Sequence, residues 1–188
     1  KMSEAYGISV LPEDGFTYQL QFSVYKDKVT LMLDTSGEPL HKRGYRQTSN
    51  IAPLRETMAA AMVMLSYWKY EYPLFDPFCG SGTIPIEAAL FKNNIAPGVN
   101  RHFAAENYEF IGKECFERAK EEARANERSL PLHIYASDIS GEAAELTKRN
   151  AEIAGVESCI NISVKNALEL DISEDYGTII CNPPYGER

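Results

Sequence analysis

Histidine, cysteine and long apolar runs are all scarce in this chain of 188 residues. The four cysteines, Cys79, Cys115, Cys159 and Cys181, lie far apart with no C-x-x-C pair. That spacing suggests neither a zinc module nor a disulfide framework. His41, His102 and His133 fall outside every motif described below, so no Cys–His pair offers itself for covalent catalysis. No apolar run approaches the ~18 residues that a membrane span needs, and the opening residues do not read as a signal peptide. The expectation is a reduced, cytoplasmic protein with no metal and no membrane partner. Positive charge is short as well. A net charge of −8 is ill suited to gripping a polyanion over the whole surface. The deficit lies beyond Arg55, since the charges before it nearly balance.

What the chain does have is a composition for folding. Its apolar share, 44%, is ordinary for a globular protein and argues against disorder. The length suffices for one good core, or for one small domain with part of another. Leu74-Phe75-Asp76-Pro77-Phe78-Cys79-Gly80-Ser81-Gly82-Thr83 reads as a short buried strand ending in an acid, a small-residue turn and a helix opening at Thr83. Such a unit makes a nucleotide-sized crevice at the carboxyl end of a parallel strand. A P-loop would need Lys and then Ser or Thr after the second glycine, but Thr83 and Ile84 follow Gly82. A dinucleotide fingerprint would need a third glycine where Pro85 stands. A carboxylate beside two glycines suits a cationic adenosine ligand better than a pyrophosphate. Thr178-Ile179-Ile180-Cys181 is a second apolar strand, and it ends in Asn182-Pro183-Pro184-Tyr185.

Asp76 to Thr83 resembles the cofactor loop of class I S-adenosylmethionine methyltransferases. Asn182-Pro183-Pro184-Tyr185 resembles the motif of those that methylate exocyclic amines. The wider chain resembles the THUMP-associated RNA methyltransferases, through Asp34 to Arg46, Ala52-Pro53-Leu54-Arg55-Glu56 and Ile95 to Arg101. The likeness runs from about Phe16 to the last residue. It implies an α/β, Rossmann-like, doubly wound methyltransferase sheet, preceded by the end of a THUMP-like α/β domain. The expected division is 1–40 for the THUMP-like part, 41–55 for a linker and 56–188 for the methyltransferase part. The resemblance further implies a seven-stranded sheet with three strands beyond this chain. A partner chain covering the incomplete sheet would be one way to complete it.

In chain order, Phe16 to Leu33 alternates with period two around Lys26-Asp27-Lys28, which predicts a hairpin. Lys42, Arg43 and Arg46, with Tyr45 between them, form the one obvious patch for RNA phosphates. Thr48, Ser49 and Asn50 offer helix caps, and Pro53 suits a first helical turn. Leu54, Met58, Ala61, Met62, Leu65 and Trp68 predict a buried helical stripe that runs on toward Pro73. A helix from Thr83 to Lys92 follows the glycine loop. Tyr108 to Arg128 predicts a second, charged helix packed through Phe110, Ile111, Phe116, Ala119 and Ala123. Leu132 to Ser137 reads as a strand ending at Asp138. Ser140 caps a helix from Gly141 to Ala154, closed by Gly155. Ile160 to Val164 is a further strand, and Asp171 to Asp175 an acidic loop.

The resemblance assigns the cofactor to Asp76, Phe78, Gly80, Gly82, Thr83, Asp138, Ile139, Asn166 and Ala167. Asp138 would accept from the ribose hydroxyls, a bidentate task suited to a carboxylate. Asn166 would face the adenine amine, where many relatives carry Asp. Catalysis falls to Asn182, Pro183, Pro184 and Tyr185. Acceptors beside the two hydrogens of a conjugated amine draw its nitrogen toward tetrahedral geometry and stabilise the developing positive charge. Tyr185 offers a face to an unstacked base. The implied activity is methylation of a base amine in RNA, N2 of guanine in ribosomal or transfer RNA. N6 of adenine in DNA, a protein glutamine amide, or a non-catalytic RNA-binding role remain as alternatives.

Overall fold

The computed structural model describes residues 4, 5, 7, 9, 10, 15–46, 54–170 and 174–186. The expected caps Thr48, Ser49 and Asn50, together with Ala52, Pro53 and Asp171, lie outside the described residues. The chain divides into two compact units, one of Lys1–Glu38 with Phe103–Phe116, the other of Pro39–His102 with Glu117–Arg188.

In the first unit, β1 (Leu20–Tyr25) pairs antiparallel with β2 (Lys28–Leu33), setting Leu20 opposite Leu33, Phe22 opposite Leu31 and Val24 opposite Val29. Lys26 and Asp27 both take positive φ (47° and 59°), the two-residue turn whose twist matches a hairpin. Phe103–Phe116 belongs to this unit as well. The cause is local hydrogen bonding. Ala105 N–H donates to the Thr35 carbonyl (3.1 Å), the Tyr108 hydroxyl reaches the Asp34 carbonyl, and the Tyr108 ring lies 4.7 Å from that of Tyr18.

The second unit holds a four-stranded parallel sheet in the order β5-β4-β3-β6. Its strands are β3 (Leu74–Asp76), β4 (Ile134–Asp138), β5 (Ile160–Val164) and β6 (Thr178–Ile179). The helix α2 (Thr83–Lys92) follows β3, and α4 (Gly141–Ala154) joins β4 to β5. Both crossovers travel the same way along the sheet, so right-handed connections put both helices on one face. Leu74, Ile134, Ala136 and Ile160 pack there with Ile84, Ala88, Ala151 and Val156 to make the core. Phe75 and Tyr135, alternating to the other side, stack at 5.0 Å. The caps act as expected: Ser140 Oγ accepts from Ala143 N–H (3.3 Å), and Gly155 closes α4 at φ 72°.

Two helices depart from expectation. The helix α1 spans Glu56–Leu65 and buries Glu56, Ala59 and Val63. Met58 and Leu65, expected inside, are exposed, and Trp68 is buried beyond the helix end. The apolar residues surround this helix rather than form one stripe, so spacing alone could not choose its inner face. The other, α3, spans Lys113–Ala125 and buries no residue, while Phe110 lies outside it and exposed. Among the described residues no helix is long and apolar enough to cross a membrane.

Candidate active site

In the sheet β3 is flanked by β4 on one side and β6 on the other. Strand order reverses at β3, and a parallel sheet opens a crevice at such a point, outside the carboxyl ends of its strands. Asp76 ends β3 and Asp138 ends β4. Ile180 N–H donates to the Phe75 carbonyl (3.0 Å), so the chain leaves β6 toward Asn182 beside the end of β3.

The glycine loop between β3 and α2 is held from several sides. Gly80 takes φ 56°, and the position of its missing Cβ meets open space. Its N–H donates to Asp138 Oδ2 (3.0 Å) and its carbonyl accepts from Thr147 Oγ1 (3.0 Å). The Ser81 carbonyl accepts from Asn150 Nδ2 (2.8 Å). Thr147 and Asn150 are fully buried polar residues of α4, and nothing in the motif pointed to them. Their trace in the sequence is two polar residues one turn apart, in phase with the inward alanines Ala143, Ala144 and Ala151.

Gly82 takes φ 80°, and a Cβ there would stand 2.7 Å from Thr147 Cγ2. Gly82→Ala is therefore expected to destabilise the protein by about 2–4 kcal/mol, from left-handed strain plus overpacking. Urea denaturation checks this. A loss below ~1 kcal/mol would mean that Thr147 can yield.

Asp76 is 1% exposed, and its Oδ1 accepts from Phe78 N–H (3.2 Å). Burial pushes its carboxyl up to about 7, against the help of that hydrogen bond, and the Asp138 charge adds to the rise. Asp138 is half-buried, with Oδ1 accepting from Ser140 N–H (3.0 Å) as Oδ2 accepts from Gly80. Two backbone N–H groups thus orient its carboxylate, and each oxygen keeps a further lone pair. Ile139 and Phe78 are exposed beside it. Asn166 Oδ1 accepts from Leu168 N–H (3.1 Å) and opens the short turn Ala167–Glu169, so its amide oxygen is already engaged locally. Asn182 and Tyr185 are exposed, and the Tyr185 hydroxyl donates to Asn182 Oδ1 (3.0 Å). Pro183 is half-buried and Pro184 exposed. Among the described residues no group of His, Cys, Asp and Glu could hold a metal ion.

The three residues of the basic patch have different surroundings. Lys42 is exposed, but Arg43 Nε lies 3.0 Å from Glu87 Oε1, and Glu87 is 3% exposed. The Tyr45 hydroxyl donates to the same Glu87 oxygen (3.0 Å). Arg46 Nη1 lies 3.5 Å from Glu56 Oε1, while Nη2 donates to the Leu54 carbonyl (3.1 Å) and to Thr83 Oγ1. Both arginines are engaged with buried carboxylates. Burial pushes Glu87 up to about 7 despite the Arg43 charge beside it.

Residues 43–188 match the sequence profile of the family described as RMKL-like, methyltransferase domain. Among similar proteins is "Putative RNA methyltransferase YpsC" of Bacillus subtilis, 45% identical over 95% of this chain and 46% of that protein. Another is "Ribosomal RNA large subunit methyltransferase K/L" of Shewanella pealeana, 42% identical over 87% of this chain and 24% of that protein. Among solved structures, SMU.472, described as "a putative methyltransferase complexed with SAH", superposes with a TM-score of 0.90 at 38% identity. That superposition covers 100% of this chain and 50% of SMU.472. The chain thus spans less than half the length of the curated relatives named here.

Proposed function

The chain belongs to the RMKL-like methyltransferase-domain family, and on that premise we propose that it transfers methyl groups from S-adenosylmethionine to an exocyclic base amine in RNA. The target we propose is N2 of guanine in ribosomal or transfer RNA. The observation that carries this reading is the convergence of three chain segments at one sheet end: the Asp76 glycine loop, the Asp138 strand end and the Asn182 turn. The hairpin of the first unit, read as the close of a THUMP-like domain over 1–40, favours RNA over DNA. The match of SMU.472, described as complexed with SAH, and the RNA named for YpsC support the cofactor and the substrate class.

The residues present fit such a cofactor. Gly80 leaves room for close approach, and Asp76 is a buried carboxylate without a cation to pair with among its described contacts. When bound, S-adenosylmethionine supplies an electrophilic methyl group on a sulfonium. Everything else falls to the chain. Asp76 would face the cationic part, and Asp138 would accept from the ribose hydroxyls with the lone pairs that Gly80 and Ser140 leave free. Phe78, Ile139, Gly82 and Ala167 would wall the cofactor, with Asn166 toward the adenine, while Thr83, buried with its hydroxyl on Arg46, would support the loop from behind.

Asn182 Oδ1 and the Pro183 carbonyl would accept from the two amine hydrogens. That arrangement stabilises positive charge as the nitrogen attacks. Pro183 and Pro184 restrict φ, so these acceptors are held in place rather than sampled. The Tyr185 hydroxyl, now on Asn182 Oδ1, must give way when a base enters, and its ring then offers a stacking face. Lys42 remains from the basic cluster as an exposed candidate for a phosphate.

Calorimetry with S-adenosylhomocysteine tests the cofactor assignment. Micromolar binding is expected, weakened about 100-fold or more by Asp138→Ala, because two charge-assisted acceptors and the anchor of Gly80 are lost together. No binding by the wild-type protein would refute the reading. Mass spectrometry of nucleosides after incubation with labelled S-adenosylmethionine tests the acceptor. Label in N2-methylguanosine from RNA is expected, and label only in N6-methyladenine from DNA would overturn the RNA assignment.

A further inference from the structure

Arg46 sits under the glycine loop with its guanidinium shared among three partners. It touches Glu56 Oε1 at 3.5 Å, the Leu54 carbonyl at 3.1 Å and Thr83 Oγ1. Thr83 is the first residue of α2, and its Oγ1 lies 3.3 Å from Ser81 Oγ in the loop. The N-cap Gly82 offers no side-chain cap, so the first N–H groups of α2 have no partner from that residue. From α4, Thr147 and Asn150 pin the Gly80 and Ser81 carbonyls. The loop is therefore clamped at both ends, by α4 on the Gly80 side and by Arg46 on the Thr83 side.

The pair that supplies this second clamp is poorly satisfied as a structural ion pair. The Arg46 and Glu56 side chains are only 11% and 5% exposed, yet Arg46 Nε and Glu56 Oε2 are buried without a hydrogen-bond partner among the described residues. A buried pair with unmet polar atoms gains little stability over an apolar replacement. Stability is thus a weak reason for holding a guanidinium at this place, and fixing Thr83 is a sufficient one.

We propose that Arg46 is a positioning residue for the cofactor, acting through Thr83 to hold the glycine loop and the first turn of α2 in the shape that receives S-adenosylmethionine. The inference rests on the methyltransferase reading above. It gives Arg46 a role in cofactor affinity instead of the RNA contact that its neighbours in sequence suggested.

The test is calorimetry of the intact protein with S-adenosylhomocysteine, alongside steady-state kinetics. Thr83→Val keeps the side-chain shape and removes the hydroxyl. Arg46→Lys keeps a charge opposite Glu56, but one nitrogen cannot serve all three partners. Both are expected to weaken binding about tenfold or more, the cost of one lost charge-assisted hydrogen bond. The KM for S-adenosylmethionine should rise by the same factor with kcat within about twofold. Thr83→Ser, which restores the hydroxyl, should return affinity to within about twofold of wild type. A purely structural role would lower the melting temperature of Thr83→Val and leave the KM unmoved, which overturns the proposal. Wild-type affinity in Arg46→Lys overturns it too, since the guanidinium's hold on Thr83 would then be unnecessary for binding. If the wild-type protein itself binds no S-adenosylhomocysteine, the methyltransferase reading falls and takes this inference with it. Equal binding by wild type and Thr83→Val removes this inference alone.

Discussion

Asn182→Ala is expected to lower kcat about 10²–10³-fold, the usual cost of one preorganised group that meets charge only as it develops. The dissociation constant for S-adenosylhomocysteine should stay within about twofold of wild type. The separation follows from where the residue lies. Asn182 comes off the end of β6, exposed, and its hydrogen-bond partner is the Tyr185 hydroxyl rather than any group of the glycine loop. The clamps on that loop come from Asp138, Thr147, Asn150 and Arg46. Removing the amide therefore leaves the loop's hydrogen bonds intact and takes away an acceptor for the base amine. Single-turnover methylation beside calorimetry checks the claim. Parallel loss of binding and turnover would mean that Asn182 shapes the cofactor site and is not the amine acceptor.

Cofactor affinity is expected to weaken about tenfold between pH 8 and pH 6 in the wild-type protein, and to stay flat in Asp76→Asn. The sign follows from Asp76. Burial raises its carboxyl to about 7, so in the free protein much of it is protonated below neutrality. A cationic ligand pairs with the carboxylate and lowers that pKa, so binding below pH 7 must first expel a proton. Affinity then falls about tenfold per pH unit beneath the free-state pKa and levels above it. Calorimetry in two buffers of different ionisation heat would report the released proton.

The same shift bears on folding. A carboxyl whose folded pKa is raised above its unfolded value of 3.8 costs stability as pH climbs through the window from about 4 to 7, and the cost persists above it. Asp76→Asn should accordingly raise the melting temperature of the ligand-free protein at pH 8 while weakening its hold on the cofactor. A flat wild-type profile from pH 6 to pH 8 would remove Asp76 from the cationic end of the site.

Local chemistry made much of the fold legible. The bounds of α2 at Thr83 and Lys92 and of α4 at Gly141 and Ala154 follow from Gly82, Ser140 and Gly155, which act on their immediate neighbours. The bounds of β5 at Ile160 and Val164 were equally plain. Failure came where a partner lies far along the chain. The ion pair of Arg43 with Glu87, more than forty residues away, left no sign in the spacing around Lys42. The buried face of α1 was misjudged for the same reason. With apolar residues on all sides, only α2, packed against Ala59 and Val63, decides which of them are covered.

By itself, then, the sequence determined the strand–acid–glycine–helix unit at Asp76, the capped helix after Asp138 and the stiff amide–proline corner at Asn182. Each is a property of backbone preference over a few adjacent residues. Only the tertiary structure decided that β6 lies against β3, which carries that corner to the same sheet end as the glycine loop, and that Arg43 and Arg46 turn inward. The reason is physical. Burying a carboxylate requires a counter-charge or a proton, and which cation answers Glu56 or Glu87 is settled by the packing of distant segments into one core.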